Sequence, residues 1–155
     1  MKLDNAKKAG SIRLIYMLIP LIVVVIIALV YLFYDVKDLR YMVFAFVGLL
    51  LFFLIMAILN YNYIIFYAGP DKVRVRYKGL SPFSASRNSV QINSNEFTQY
   101  EIKTSIFNIK KVLILHQQTP SGHAKYPSIG LSALNNSEIN SIKKALDLVL
   151  MMNKN

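Results

Sequence analysis

Residues 14–34 read LIYMLIPLIVVVIIALVYLFY, twenty-one residues without a charge between Arg13 and Asp35. As a helix rising about 1.5 Å per residue they reach roughly 31 Å, close to the hydrocarbon thickness of a bilayer, about 30 Å. The six residues DVKDLR separate this run from a second one, YMVFAFVGLLLFFLIMAILN at 41–60, which stays uncharged until Asp71. The pattern predicts two transmembrane spans, about 14–34 and 41–62. The second run is longer than one span requires, so 61–68 stays open between the end of a helix and a first strand.

The connection carries Asp35 and Asp38 against Lys37 and Arg40. It is too short for a crossover, so the spans form an antiparallel hairpin, placed at 14–66. Tyr31, Phe33, Tyr34, Tyr41, Phe44, Tyr61, Tyr63 and Tyr67 gather where the span ends meet headgroups, as anchored helices require. Pro20 is expected to kink the first helix. A cleaved signal peptide fits poorly, because the apolar run is too long, no small-residue cleavage site follows, and a second span begins at once. Lys2, Lys7, Lys8 and Arg13 precede the first span, and Lys72, Arg74, Arg76 and Lys78 follow the second. The excess of cations on that side predicts an integral cytoplasmic (inner) membrane protein with both termini cytoplasmic, residues 1–13 being a basic lead.

The whole chain has 55% apolar and 17% charged residues, and 18 Lys and Arg against 8 Asp and Glu. A formal charge of +10 points to an anionic neighbour such as a membrane surface or nucleic acid. With no cysteine, disulfide scaffolds, thiol nucleophiles and Cys-based metal sites are excluded.

Residues 67–155 change character and predict a cytoplasmic domain. KVRVRYKGL sets Val73, Val75 and Tyr77 on one strand face and Lys72, Arg74, Arg76 and Lys78 on the other, since side chains alternate with period two. SVQIN repeats the alternation with Val90 and Ile92. EFTQYEIKTSIF aligns Tyr100, Ile102 and Ile106, and KKVLILHQQ sets Val112, Ile114 and His116 against Leu113 and Leu115. Thr119-Pro120-Ser121-Gly122 has turn chemistry and should join the fourth strand to a fifth, HAKYPSIGLSAL. A helix at about 136–153 follows: Asn135 and Glu138 have capping-box spacing, and Ile139, Ile142, Leu146 and Val149 form an apolar stripe.

The expected fold is an α+β membrane protein: a two-helix transmembrane hairpin, then a small antiparallel β sheet or partly open barrel capped by an amphipathic C-terminal helix. The passage from KYPSIGLSAL directly into SEINSIKKALDLVL resembles the end of bacterial pleckstrin-homology-like (PH-like) domains, where the last strand leads through Leu-Ser and a later Glu into the capping helix. The resemblance covers about the last 85 residues, and such proteins often carry a two-helix hairpin ahead of the domain. It implies a membrane-tethered binding or scaffold module rather than an enzyme, and it transfers no ligand residues.

The candidate site is the basic face Lys72, Arg74, Arg76 and Lys78, close behind the second span and able to touch anionic lipid. Exposed cations on an edge strand are the structural alternative. No catalytic, metal or cofactor site is expected. His116 and His123 are the only histidines and lack metal spacing, Ser121 and Ser128 near His123 lack an acidic orienter, and Glu96 and Glu101 should point to opposite faces. Nucleic acid is not an expected partner: +7 between Asp71 and Asn155, with aromatics interleaved, comes without an RNA- or DNA-binding signature. No charge interrupts either span, so ion pathways lack their groups. Ala28, Ala45 and Gly48 offer small faces for packing within the hairpin or for a homo-oligomer. Three function classes remain: a scaffold binding a protein partner at the bilayer, an immunity protein against a membrane-directed toxin, and an anionic-lipid sensor.

Overall fold

The structure, a computed structural model, describes residues 1–33, 39–81, 84, 87–105, 109–120 and 122–153. Two long apolar helices precede two antiparallel sheets and a C-terminal helix, an α+β arrangement in which the sheets do not close into a barrel.

Helix α1 spans Ala6–Phe33 and runs continuously through Pro20, and helix α2 spans Leu39–Leu59. Both are long and apolar enough to cross a membrane. Most of their large side chains stand outward, Leu32, Phe33 and Phe44 being 73%, 77% and 75% exposed. Tyr16 joins the pair, donating to the Met56 carbonyl at 3.2 Å and meeting the Phe52 ring edge-on at 6.4 Å.

The first strand, β1, is Lys2–Asp4, and β2 is Asn62–Ala68. They pair antiparallel, with Leu3 opposite Phe66. Two elements of the lobe thus begin ahead of residue 67. The start of the chain is an edge strand of the lobe as well as a basic lead, and α2 stops at Leu59, so the stretch left open at 61–68 resolves as a strand over Asn62–Ala68. The stop is local chemistry: Asn60 adopts a left-handed φ of 48°, a conformation asparagine tolerates and one that ends helices. Beyond it Asn62, Ile64, Phe66 and Ala68 are buried while Tyr63, Ile65 and Tyr67 are not, the period of two that marks a strand. A lobe starting at residue 67 would lose both strands.

Strand β3 (Lys72–Gly79) pairs with β2, and β4 (Arg87–Asn93) with β3, giving the order β1-β2-β3-β4. A 3-10 turn at Ser94–Glu96 leads into the second sheet, where β5 (Phe97–Ser105), β6 (Lys110–Thr119) and β7 (Gly122–Lys125) are sequential neighbours and β8 (Ile129–Gly130) pairs with β6. The expected hairpin at 119–122 is present, Thr119 standing opposite Gly122. The expected single fifth strand is divided into β7 and β8, with Pro127, which has no N–H for a ladder, between them.

Helix α3, Asn136–Met152, is capped as its sequence predicts: Asn135 accepts from the Glu138 N–H, and Glu138 accepts from the Asn135 N–H, both at 2.7 Å. Its stripe Ile139, Ile142, Leu146 and Val149 joins the inward residues of both sheets, including Ile64, Phe66, Val73, Val75, Leu113 and Leu115, in one core. The inward face of β6 is thus Leu113 and Leu115. Tyr100 and Ile102 pack at the margin of the core, while Ile106 lies outside the described residues.

Candidate functional site

The join between helices and lobe is built from asparagines. Asn5, just ahead of α1, is buried; its amide donates to the Asn62 carbonyl at 3.1 Å and its side-chain oxygen accepts from the Ile64 N–H at 2.8 Å. Asn62, also buried, donates to the carbonyls of Asn60 at 3.1 Å and Gly130 at 3.2 Å. Buried amides need such partners, and these tie α1, the exit of α2 and both sheets at one point. Ala9 and Tyr16 of α1 pack with Leu80 beside it, where Met56, Tyr61 and Tyr63 complete a small second core.

This join fixes the first turns of α1 next to the outer face of the first sheet. Between them lies a cleft of about 780 Å³, bordered by Ala6, Gly10 and Arg13 of α1 and by Arg76, Lys78 and Arg87 of β3 and β4. Ile65 and Leu80 give it apolar wall, and Ser84 and Ser89 add hydroxyls. The sheet register sets its electrostatics. Lys78 stands directly opposite Arg87, and in the next outward row Arg76 stands opposite Ser89. Like charges directly opposed across a strand pair repel. Among the described residues no carboxylate borders the cleft. Among the described residues none of Arg13, Arg76, Lys78 and Arg87 has an ion-pair partner. The acid on this face, Asp4, accepts instead from the Ala6 N–H at 2.9 Å and the Tyr63 hydroxyl at 3.2 Å.

The four cations singled out from sequence therefore divide. All stand on the outward side of β3, since the intervening Val73 and Val75 are buried, but only Arg76 and Lys78 border the cleft. Arg74 donates through Nε to Gln91 at 2.8 Å, and Lys72 sits opposite Asn93, at the far end of the strand from Lys78. The residues the sequence reading missed are Arg87 and Arg13. Arg13 carries a visible signal, being the last charge before the first uncharged run. Arg87 becomes visible only once the β3–β4 register is known.

On the second sheet, Glu101 faces Lys103 at 3.1 Å and His116 at 3.4 Å. The Lys103 hydrogen bond is the main cause holding the Glu101 carboxyl below its ordinary range. Glu96 accepts from Gln117 at 2.6 Å. Among the described residues no cluster of His, Asp and Glu has the makings of a metal site. No family model, curated protein or solved structure matches this chain.

Proposed function

We propose that the protein is a membrane-anchored, non-catalytic module of the bacterial PH-like kind that reads anionic lipid at the inner face of the cytoplasmic membrane. In this reading α1 and α2 cross the bilayer as an antiparallel hairpin, both termini are cytoplasmic, and the outer face of the first sheet leans on the leaflet. The seven strands described between Asn62 and Gly130, followed by a capping helix, support the PH-like assignment. The observation that carries the function is the convergence of Arg13, Arg76, Lys78 and Arg87 on one cleft beside the helices. Arg13 adjoins the uncharged run, and Tyr63, opposite Lys78, is four residues past the end of α2. At most about 14 Å of chain separates them. Cations within a Debye length of about 8 Å of an anionic leaflet gain about 1 kcal/mol each, and the attraction fades beyond it.

The test uses the full chain in bilayer discs of phosphatidylcholine, with or without phosphatidylglycerol. A fluorophore on Asn93→Cys, at the exposed far end of the sheet, reports energy transfer to an acceptor lipid. The reading requires greater transfer in the anionic discs, reversed by salt and lost when Lys72, Arg74, Arg76 and Lys78 are all changed to Ser. Equal transfer in both lipids would refute it.

A second reading, a scaffold that binds a protein partner, is favoured by β5. This nine-residue strand pairs with β6 and with no other described strand, the arrangement used in strand addition. A stoichiometric partner that co-purifies in mild detergent, and is lost on Gln99→Pro, would support it. Retention of that partner by the proline variant would exclude this edge.

A further inference from the structure

We propose that the cleft between α1 and the β3–β4 ladder is a saturable site for one phosphate ester, with Lys78 and Arg87 as the clamp on the phosphate. The proposal deepens the lipid reading and rests on it for the ligand's source, while the phosphate chemistry follows from the cleft itself.

Three features set the cleft apart from a generally basic surface. The opposed Lys78 and Arg87 repel each other until an anion lies between them, and Arg76 and Arg13 add two further positive charges around the same space. An arginine fork suits two phosphate oxygens at once, and a lysine beside it supplies a point charge. The cleft also has the right size. Its volume of about 780 Å³ falls within the roughly 300–1,000 Å³ typical of small-molecule sites, ample for a phosphorylated glycerol headgroup. Finally, α1 leaves the space free. Gly10 borders the cleft, and a Cβ built on it would meet nothing within 4 Å. Glycine is a poorer helix former than alanine, so a larger residue there would favour the helix while filling the opening.

That last point separates site binding from surface attraction. Gly10→Leu keeps every charge and occupies the cleft, whereas Lys78→Gln with Arg87→Gln keeps the shape and removes the clamp. The full chain in neutral detergent is titrated calorimetrically with dihexanoyl phosphatidylglycerol, dihexanoyl phosphatidylcholine, glycerol 3-phosphate and inorganic phosphate.

The expected result is saturation near one phosphatidylglycerol per chain, with at least tenfold weaker binding in Gly10→Leu and in the double Gln variant and little binding of phosphatidylcholine. Competition by glycerol 3-phosphate at comparable affinity would support the phosphate site and assign it a soluble ester; failure of both soluble phosphates to compete would support it and assign a lipid. Equal binding of phosphatidylcholine, or unchanged affinity in both variants, would overturn the proposal. The anchored surface reading would survive that outcome if Gly10→Leu kept its response to anionic discs. Thermal unfolding of each variant, matched to the unmodified chain, shows that a lost signal is not lost fold.

Discussion

Lys8 and Glu138 are 130 residues apart in the chain and 2.7 Å apart in the fold. The contact joins the first turn of α1 to the cap of α3, so one carboxylate serves as capping partner of Asn135 and counter-ion of the helix that leads into the apolar run. Burial pushes the Glu138 carboxyl up, but hydrogen bonds from Lys8 and the Asn135 N–H outweigh it and leave it below its ordinary value. A lowered folded value means stability that is present above the unfolded carboxylate range, about 4.3, and lost as pH falls through the folded one. Glu138→Gln should flatten the acid limb of the stability profile. At neutral pH it should cost about 1 kcal/mol, typical of a weakened cap, while Lys8→Met should cost less because the lysine is 40% exposed. Urea unfolding of the detergent-solubilised chain from pH 7 to pH 3 checks both.

The asparagine join makes a sharper prediction. Asn62→Leu strips partners from the Asn60 and Gly130 carbonyls, and unsatisfied buried polar groups cost about 1–3 kcal/mol. Gly130→Ala should be as damaging, because its new Cβ would strike the Asn60 carbonyl oxygen and the Asn62 amide; overpacking costs roughly 1–3 kcal/mol. Gly48→Ala, whose Cβ meets nothing within 4 Å, is the contrast and should leave stability unchanged or raised. Thermal midpoints in one detergent rank the three.

Tyr100 donates to Asp147 at 2.7 Å, linking the second sheet to α3. Burial first, and the Asp147 carboxylate second, push its hydroxyl up to about 12. Because the folded value is raised, the fold favours the protonated phenol: its stabilising effect is complete below the unfolded value of about 10 and disappears as pH rises through the folded one. Phenolate absorbance should show a late-titrating component that Tyr100→Phe removes. Its persistence in that variant would assign it to another tyrosine.

The helices and most of the lobe were legible because each rests on a periodicity. An uncharged run of bilayer length, the alternation of Val73 and Val75, and the Asn135–Glu138 cap with its stripe are all local signals. What escaped depends on distant pairing. β1 is three residues long and exists only because β2 lies beside it, while β2 is hidden in an apolar run continuous with α2. The same holds at the site. Lys78 was visible as part of an alternating basic face, but its opposition to Arg87 follows from a register across a loop, and Arg13 reaches the cleft only because Asn5 and Asn62 fix where α1 starts. Lys72 and Arg74 show the converse: period two placed them on the right face and said nothing about which end of the strand borders the cleft.

In the proposed topology the two apolar helices cross the membrane and hold the lobe on its inner side. The chain has no cysteine, so single thiols report cleanly. Asn140→Cys, on the exposed side of α3, and Lys37→Cys, between the helices, are treated in intact cells with a membrane-impermeant maleimide. With this topology Lys37→Cys labels at once and Asn140→Cys only after permeabilisation. Labelling of Asn140→Cys from outside intact cells, or recovery of the chain in solution without detergent, would contradict it.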